Sequence, residues 1–339
     1  MSLIHRVLGP VAAVCLLAAC GGSPASTNPP AAVDQAPIVF GSDSSPDQAY
    51  LPILMAFDTM KKEGYNVQPA VQLNTTELLV QALSNDQVQF MSSGVIALAA
   101  AVDKGINMKV ISSRGNNTWN MVSTNDITSC DQLNGKKVAL FSTNGTSSAY
   151  VNIWMSKNCP NSKPQFLIIP DSASRAQALL TGQIVAAPLE TDGTVELSQN
   201  HSDKFHVLAV FGKVLPGVGR DMVVTNSQTL SKHPTIVKAF IKAQLEAIRS
   251  LYKNPASVAT NDGKYLSLGA NADQIAKFYA DQKAWCANGG IATADTDAQL
   301  AAFLTYKKVP ATVTSANLVD DGPMKAVLAQ IGPSSATTC

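Results

Sequence analysis

Charge, histidine and catalytic motifs are what this sequence has least of. Charged residues make up 14% of its 339 positions and histidines number 4, with 25 lysines and arginines against 24 aspartates and glutamates and a formal net charge of +1. Taking Arg6 away with the leader described below leaves 24 basic residues against 24 acidic ones. That balance argues against nucleic acid as a partner, because phosphate binding is driven by clustered cations. His201, His206 and His233 stand in polar or turn-like contexts with no partner at fixed spacing. There is no Gly-x-Ser-x-Gly elbow, no His-Glu-x-x-His helix and no Walker loop, so the chain is not expected to be an enzyme. No two cysteines form Cys-x-x-Cys and no histidine falls at ligand spacing, so neither a metal nor another cofactor is expected. Internal repeats are missing, and beyond the leader no run reaches the roughly 20 apolar residues that a spanning helix needs.

What is present begins at the start of the chain. His5 and Arg6 precede an apolar run from Val7 to Ala19, broken only by Gly9-Pro10 and too short to span a bilayer, which is the pattern of a signal peptide over residues 1–19. The run ends in Leu17-Ala18-Ala19-Cys20-Gly21, which resembles the bacterial lipobox. That resemblance implies a lipid on Cys20 as the mature N-terminus; the alternative is an ordinary secretory signal cut elsewhere. Residues 20–36, rich in Ser, Pro, Thr and Asn, cannot bury apolar surface and are expected to act as a tether. The expectation is a monomeric body on a lipid leash at the outer face of the cytoplasmic membrane.

With 46% hydrophobic residues the body can build a sizeable core, and its length favours two lobes. Of 6 cysteines, Cys15 lies in the leader and Cys20 carries the expected lipid, leaving Cys130, Cys159, Cys286 and Cys339. In an exported chain these read as disulfides, and we favour Cys130 with Cys159 and Cys286 with Cys339, since each pair then stays inside one structural unit. From Pro37 onward short β-rich runs alternate with helical ones, an α/β pattern. Helices are expected over Ala49 to Lys62, Thr76 to Asn85, Ser93 to Lys104 and Ser174 to Thr181. The strongest follows Pro234, with a stripe from Ile236 to Tyr252 that reads as core packing. Crossings near Trp119 to Ser123 and Gly219 to Thr225 divide the chain into lobe 1 (37–121), lobe 2 (122–219) and a return to lobe 1 with C-terminal helices wrapping it (220–339), joined by a hinge.

Ligands of open α/β sheets bind where the carboxyl ends of strands turn into helices. Three such turns are rich in hydroxyls: Asp43, Ser44, Ser45 and Asp47 in the first; Ser92, Ser93 and Gly94 in the second; Asn144, Gly145, Thr146 and Ser147 in the third. Each type also makes a good helix cap, and for a single turn capping is the better account. Three in order point to one cleft, with backbone amides and hydroxyls converging. Asp47 with Asp43, and Glu190 from the second lobe, can orient an amine; Tyr50 and Trp119 can stack on a flat solute. Arg114, Arg175 and Arg220 are candidate counterions for an acid, with surface salt bridging as their default role.

The stretch Asp131-Gln132-Leu133-Asn134-Gly135-Lys136-Lys137-Val138, followed by Gly145-Thr146-Ser147, resembles the second-lobe entry of type II periplasmic binding proteins. The run from Ala178 to Ala187, the His233-Pro234 helix, Asn288-Gly289-Gly290-Ile291 and Asp320-Asp321-Gly322-Pro323 extend the likeness over nearly all of the mature chain. The nearest group is the one binding nitrate, taurine, alkanesulfonates and thiamine pyrimidine precursors. The resemblance implies two hinged lobes closing on a solute and docking on an ABC permease, with the ligand held by Asp43 to Asp47, Ser92 to Gly94 and Asn144 to Ser147. Val185 stands where many relatives have aspartate. The cysteine-rich motif of the related eukaryotic pyrimidine synthases is absent, which lowers the alternative of an enzyme on this fold. A pyrimidine or similar amine-bearing solute is favoured, because acids near the cleft disfavour an anion; an alkanesulfonate, taurine or nitrate-like anion is the alternative.

Overall fold

A computed structural model describes residues 32–42, 46–73, 75–143, 145–215, 218–219, 221–266, 272–306, 308–337 and 339. The leader, Cys20, most of the tether, Asp43, Ser44, Ser45, Asn144 and Arg220 lie outside the described residues.

The first part of the chain supplies strands β1 (Phe40–Ser42), β2 (Val71–Gln72), β3 (Phe90–Gly94) and β4 (Met108–Gly115), with helices α1 (Leu51–Lys62), α2 (Thr76–Ser84) and α3 (Val95–Asp103) between them. After a crossing come β5 (Asn120–Thr124), β6 (Lys137–Leu140), β7 (Gln165–Ile168), β8 (Ala186–Leu189) and β9 (Phe205–Val210). Their helices are α4 (Thr146–Asn158), α5 (Ser172–Leu180), α6 (Thr191–Val195) and α7 (Phe211–Val214). Strand β10 (Asp221–Asn226) then returns to the first sheet, followed by α8 (Ser227–Lys232), α9 (Pro234–Lys253), α10 (Ser257–Tyr265), α11 (Ala272–Asp281), α12 (Thr293–Thr305), α13 (Ser315–Leu318) and α14 (Gly322–Ile331). The sheets run β2-β1-β3-β10-β4 and β7-β6-β8-β5-β9, each of five strands. This is a two-lobed α/β architecture with both crossings at one hinge.

Burial explains the order. Strand β10 lies between β3 and β4, antiparallel to both, and its Met222, Val223 and Val224 are fully enclosed, as a central strand covered on both faces requires. The stripe of α9 packs on α1 and the first sheet, with the Phe240 ring 5.1 Å from Phe57 and 4.8 Å from Phe90. Its one buried polar residue, Gln244, accepts from the Ser112 hydroxyl at 2.7 Å and donates to the Ser113 carbonyl at 3.0 Å, so the stripe crosses the sheet without an unmet polar group. Disulfides join Cys130 to Cys159 and Cys286 to Cys339. Among the described residues no helix is long and apolar enough to cross a membrane.

Two elements depart from the sequence expectation. Ser93 does not begin a helix: pairing of Ser92, Ser93 and Gly94 with Val223, Met222 and Asp221 holds them in β3, and α3 starts at Val95. Nor do the C-terminal helices wrap the first lobe alone. In α12, Phe303 packs 6.2 Å from the Tyr150 ring of α4, while the Tyr306 hydroxyl just beyond accepts from Ser156 at 2.7 Å. Helix α11 touches α6 as well. An apolar face on α4 that its own sheet does not cover is closed by the returning chain.

Candidate functional site

The three hydroxyl-rich turns lie at the carboxyl ends of β1, β3 and β6, and two of them meet across the lobes. A Cβ built on Gly94 would lie 2.7 Å from the Thr146 Oγ1, so the starts of α3 and α4 face one another with room for no side chain between them. Asp221, opposite Gly94 in the ladder, closes the same point from the hinge. Capping accounts for only one turn. Asp47 caps the 3-10 turn Gln48–Tyr50, accepting from the Ala49 amide at 3.0 Å. At α3 and α4 the caps are Gly94 and Gly145, and neither makes a side-chain cap bond, so the hydroxyls of Ser92, Ser93, Thr146 and Ser147 are not used for capping. Ser92, at 0% exposure, has a hydroxyl with no protein partner.

Around this point the structure gathers charge. Arg114, at the end of β4, pairs with Asp221 and lies 4.2 Å over the Tyr50 ring. Although burial opposes it, the Asp221 carboxylate, with Tyr50 and Asp47 behind it, keeps Arg114 firmly charged. Asp47 is raised from the ordinary range by burial, partly offset by Arg114 and reinforced by Asp192 and Asp221. Glu190, entering α6 from β8, is pushed up to about 8 by burial and then by Asp47 and Asp192, against the pull of Arg114 and Arg175. Burial and the neighbouring acids therefore favour the protonated form of the Glu190 carboxyl. Tyr279 of α11 comes close to Thr118 and Thr191, and burial, with the nearby Asp47, raises its phenol.

Arg175 is not the surface salt bridge its residue type first suggests. It is 0% exposed, with Nε donating to the Pro188 carbonyl at 2.8 Å and Nη1 to the carbonyls of Ile169 at 2.8 Å and Pro170 at 2.9 Å. Its guanidinium sits 5.6 Å from the Trp119 ring centroid, and its Nη2 has no partner. Satisfied by neutral carbonyls, the cation is lowered to about 10 by burial, against the attraction of Glu190 and Asp171.

Of the residues singled out from sequence, the structure brings together Asp47, Tyr50, Gly94, Thr146 and Glu190, with Arg114 at their centre, and places Trp119 against Arg175. Tyr50 is buried, and its ring carries Arg114. Sequence reasoning missed Asp192, Asp221, Thr118, Thr191 and Tyr279. The signal for Asp221 was available, since it opens the return strand at the crossing; Tyr279 comes from a helix distant in sequence and no local pattern marks it. Among the described residues no three acids, histidines or cysteines are placed to hold a metal ion.

A profile of the family described as "NMT1/THI5 like" matches residues 61–258. No curated protein matches the sequence significantly. Among solved structures, the ligand-binding component of an ABC-type import system from Staphylococcus aureus superposes with a TM-score of 0.70 at 13% identity, covering 86% of this chain and 99% of that one. The periplasmic nitrate-binding protein of Synechocystis gives 0.68 at 12% identity over 90% and 93%. The periplasmic aliphatic sulphonate-binding protein of Escherichia coli gives 0.64 at 14% identity over 84% and 92%. At such identities the likeness is one of fold, and that fold is the periplasmic binding protein fold.

Proposed function

The chain belongs to the NMT1/THI5-like family, and from that premise we infer that it is the extracytoplasmic solute-binding subunit of an ABC-type importer. It captures a small solute between its lobes and presents it to permease subunits, without chemistry on the solute. The favoured solute bears an amine, as an aminopyrimidine or similar heterocycle does. What carries this reading is the acid set contributed from both sides, Asp47 from lobe 1 with Glu190 and Asp192 from lobe 2: across the cleft Asp192 raises Asp47 and Asp47 raises Glu190. A solute ammonium or ring N–H placed there replaces the proton that the empty site holds on Glu190, and gives the carboxylates the partner that burial otherwise denies them. Calorimetry of an amine-bearing heterocycle near pH 7, in buffers of differing ionisation heat, should then show proton release on binding. Proton uptake, or no proton change, would exclude this reading.

One observation favours a second reading. The starts of α3 and α4 converge without side-chain caps, and free amides at a helix N-terminus attract anions. A nitrate-like ion or a sulfonate would bind there beside Arg114, with no proton released. The importer reading also includes the leash: Cys20→Ser should be exported but lost from the membrane fraction. Retention as tight as in the parent would remove the lipid anchor from the proposal.

A further inference from the structure

The hinge has a second face, and its chemistry is the reverse of the cleft's. A cavity of about 340 Å³ lies against the two hinge passes, within the ~300–1,000 Å³ range of small-molecule sites. Asn116 and Thr118 of the first pass form its floor, Lys213 of α7 with Leu215 just beyond it one wall, and Phe278 of α11 with Gln282 just beyond that helix the other. Where the cleft collects carboxylates, this lining holds one cation and, among the described residues, no carboxylate. Lys213 is exposed and has no ion-pair partner among the described residues. The half-buried Phe278 and buried Leu215 supply apolar contact beside it. We propose that this cavity is a second ligand site, taking a small organic anion with a compact apolar body, such as an aryl carboxylate or sulfonate, and that its occupant holds the lobes in the closed arrangement.

The coupling follows from where the walls come from. Helix α7 belongs to lobe 2, whereas α11 packs chiefly on α10 and the Leu51 end of α1 in lobe 1, its contact with α6 being made across the cleft beside Tyr279 and Thr191. Any opening of the cleft about Asn116 to Thr118 moves one wall against the other. Gly212 of α7 sits so close on the Asn117 carbonyl that no side chain fits between them, so the floor and the lobe 2 wall move together and the change falls on the α11 side. An occupant that bridges Lys213 and Phe278 in the closed arrangement loses one of them on opening. A ligand shifts such an equilibrium only through contacts that differ between its states, and the effect is reciprocal. Filling the hinge cavity should therefore tighten the cleft, whatever solute the cleft takes; this rests on the two-lobed motion and not on the solute's identity.

The test uses benzenesulfonate and phenylacetate on the full chain, with no cleft solute added. Calorimetry should show saturable binding to the parent, weakened about ten-fold or more by Lys213→Glu, since a charge-assisted hydrogen bond contributes roughly 1.5–3 kcal/mol. Gln282→Trp, which fills the cavity from the α11 side, should abolish it. X-ray scattering should show a smaller radius of gyration with the probe, and the same compaction in Gln282→Trp without it. Binding that survives Lys213→Glu but falls in Ser93→Ala and Thr146→Ala would put the probe in the cleft, overturning this site and favouring the anion reading of the cleft. No binding by the parent overturns the proposal outright, and binding without compaction overturns the coupling.

Discussion

The two lobes repeat one strand order. Each has three parallel neighbours, then an antiparallel strand delivered by a crossing (β10 in the first sheet, β5 in the second), then a fifth strand. They differ in how each buries its cleft arginine. Lobe 1 neutralises Arg114 with a carboxylate, Asp221, while lobe 2 surrounds Arg175 with three backbone carbonyls and leaves its charge uncompensated. Dipoles orient a cation without cancelling its field, so Arg175 still acts on Glu190 at a distance. A shared topology therefore sets where the cations sit, and local hydrogen bonding sets whether their charge is available to a solute.

Removing the two cations should break this comparison most visibly. Arg175→Met leaves the buried Pro188 carbonyl and the part-buried carbonyls of Ile169 and Pro170 without donors and is expected to cost about 3–5 kcal/mol. Arg114→Met strands Asp221 instead. That pair is partly exposed, at 14% and 23% of the side chains, so the cost should be smaller, about 1–3 kcal/mol. Urea unfolding midpoints decide the order, and equal or reversed costs would mean that dipoles do not carry Arg175 as argued. The disulfides sharpen the comparison in the other direction. In the loop-closure account, removing Cys130–Cys159, which spans 29 residues, and Cys286–Cys339, which spans 53, should each cost about 2–4 kcal/mol, the longer loop more by roughly half a kcal/mol.

Each lobe also holds a carboxyl that burial raises into the neutral range, which gives a pH test. Burial raises Asp262, which accepts from Gln48 at 2.5 Å, to about 7, and raises Glu190 to about 8. A folded acid whose pKa is raised binds a proton that the unfolded chain has lost, so its contribution is present below the unfolded pKa and is lost as pH rises through the folded one. The melting temperature of the empty protein should fall from pH 5 to pH 8. Asp262→Asn should flatten the lower part of that fall, ending near 7, and Glu190→Gln the upper part, ending near 8. A profile that neither variant changes would refute the protonated-acid account.

Much of the fold could be read from sequence because its signals are local: apolar runs for strands, the α9 stripe, glycine stops and an even set of cysteines from Cys130 to Cys339. The shared strand order of the lobes could not, since no sequence repeat accompanies it. The site was legible where a strand end runs straight into a helix start, as at Asp47, Gly94, Thr146 and Glu190. It was illegible where two distant elements meet, as Tyr279 does with Thr118 and Thr191. Arg175 shows a further limit: its residue type suggested a surface ion pair, and only the carbonyls curling from Ile169, Pro170 and Pro188 make burial tolerable.

The smallest expected effect bears on whether the turns of the two lobes act as one site. Were Ser93 and Thr146 caps, alanine at either would cost about 0.5–2 kcal/mol of stability. Because the caps of α3 and α4 are Gly94 and Gly145, melting temperatures of the empty variants should hardly move. Affinity for a solute identified by thermal-shift screening should weaken by about 1–3 kcal/mol, since a buried polar group of the solute loses its partner. The contact between the turns offers a sharper variant. Gly94→Ala places a methyl 2.7 Å from the Thr146 Oγ1, a separation that forces the lobes apart. Solute affinity should fall, and scattering should show a more open body. Adding Thr146→Ala removes the obstructing oxygen, so the double variant should close again and recover part of the affinity that Gly94→Ala alone loses. Were the double variant as open as Gly94→Ala alone, the two turns would not meet in the closed form, and each lobe's hydroxyls would have to be assigned a separate role.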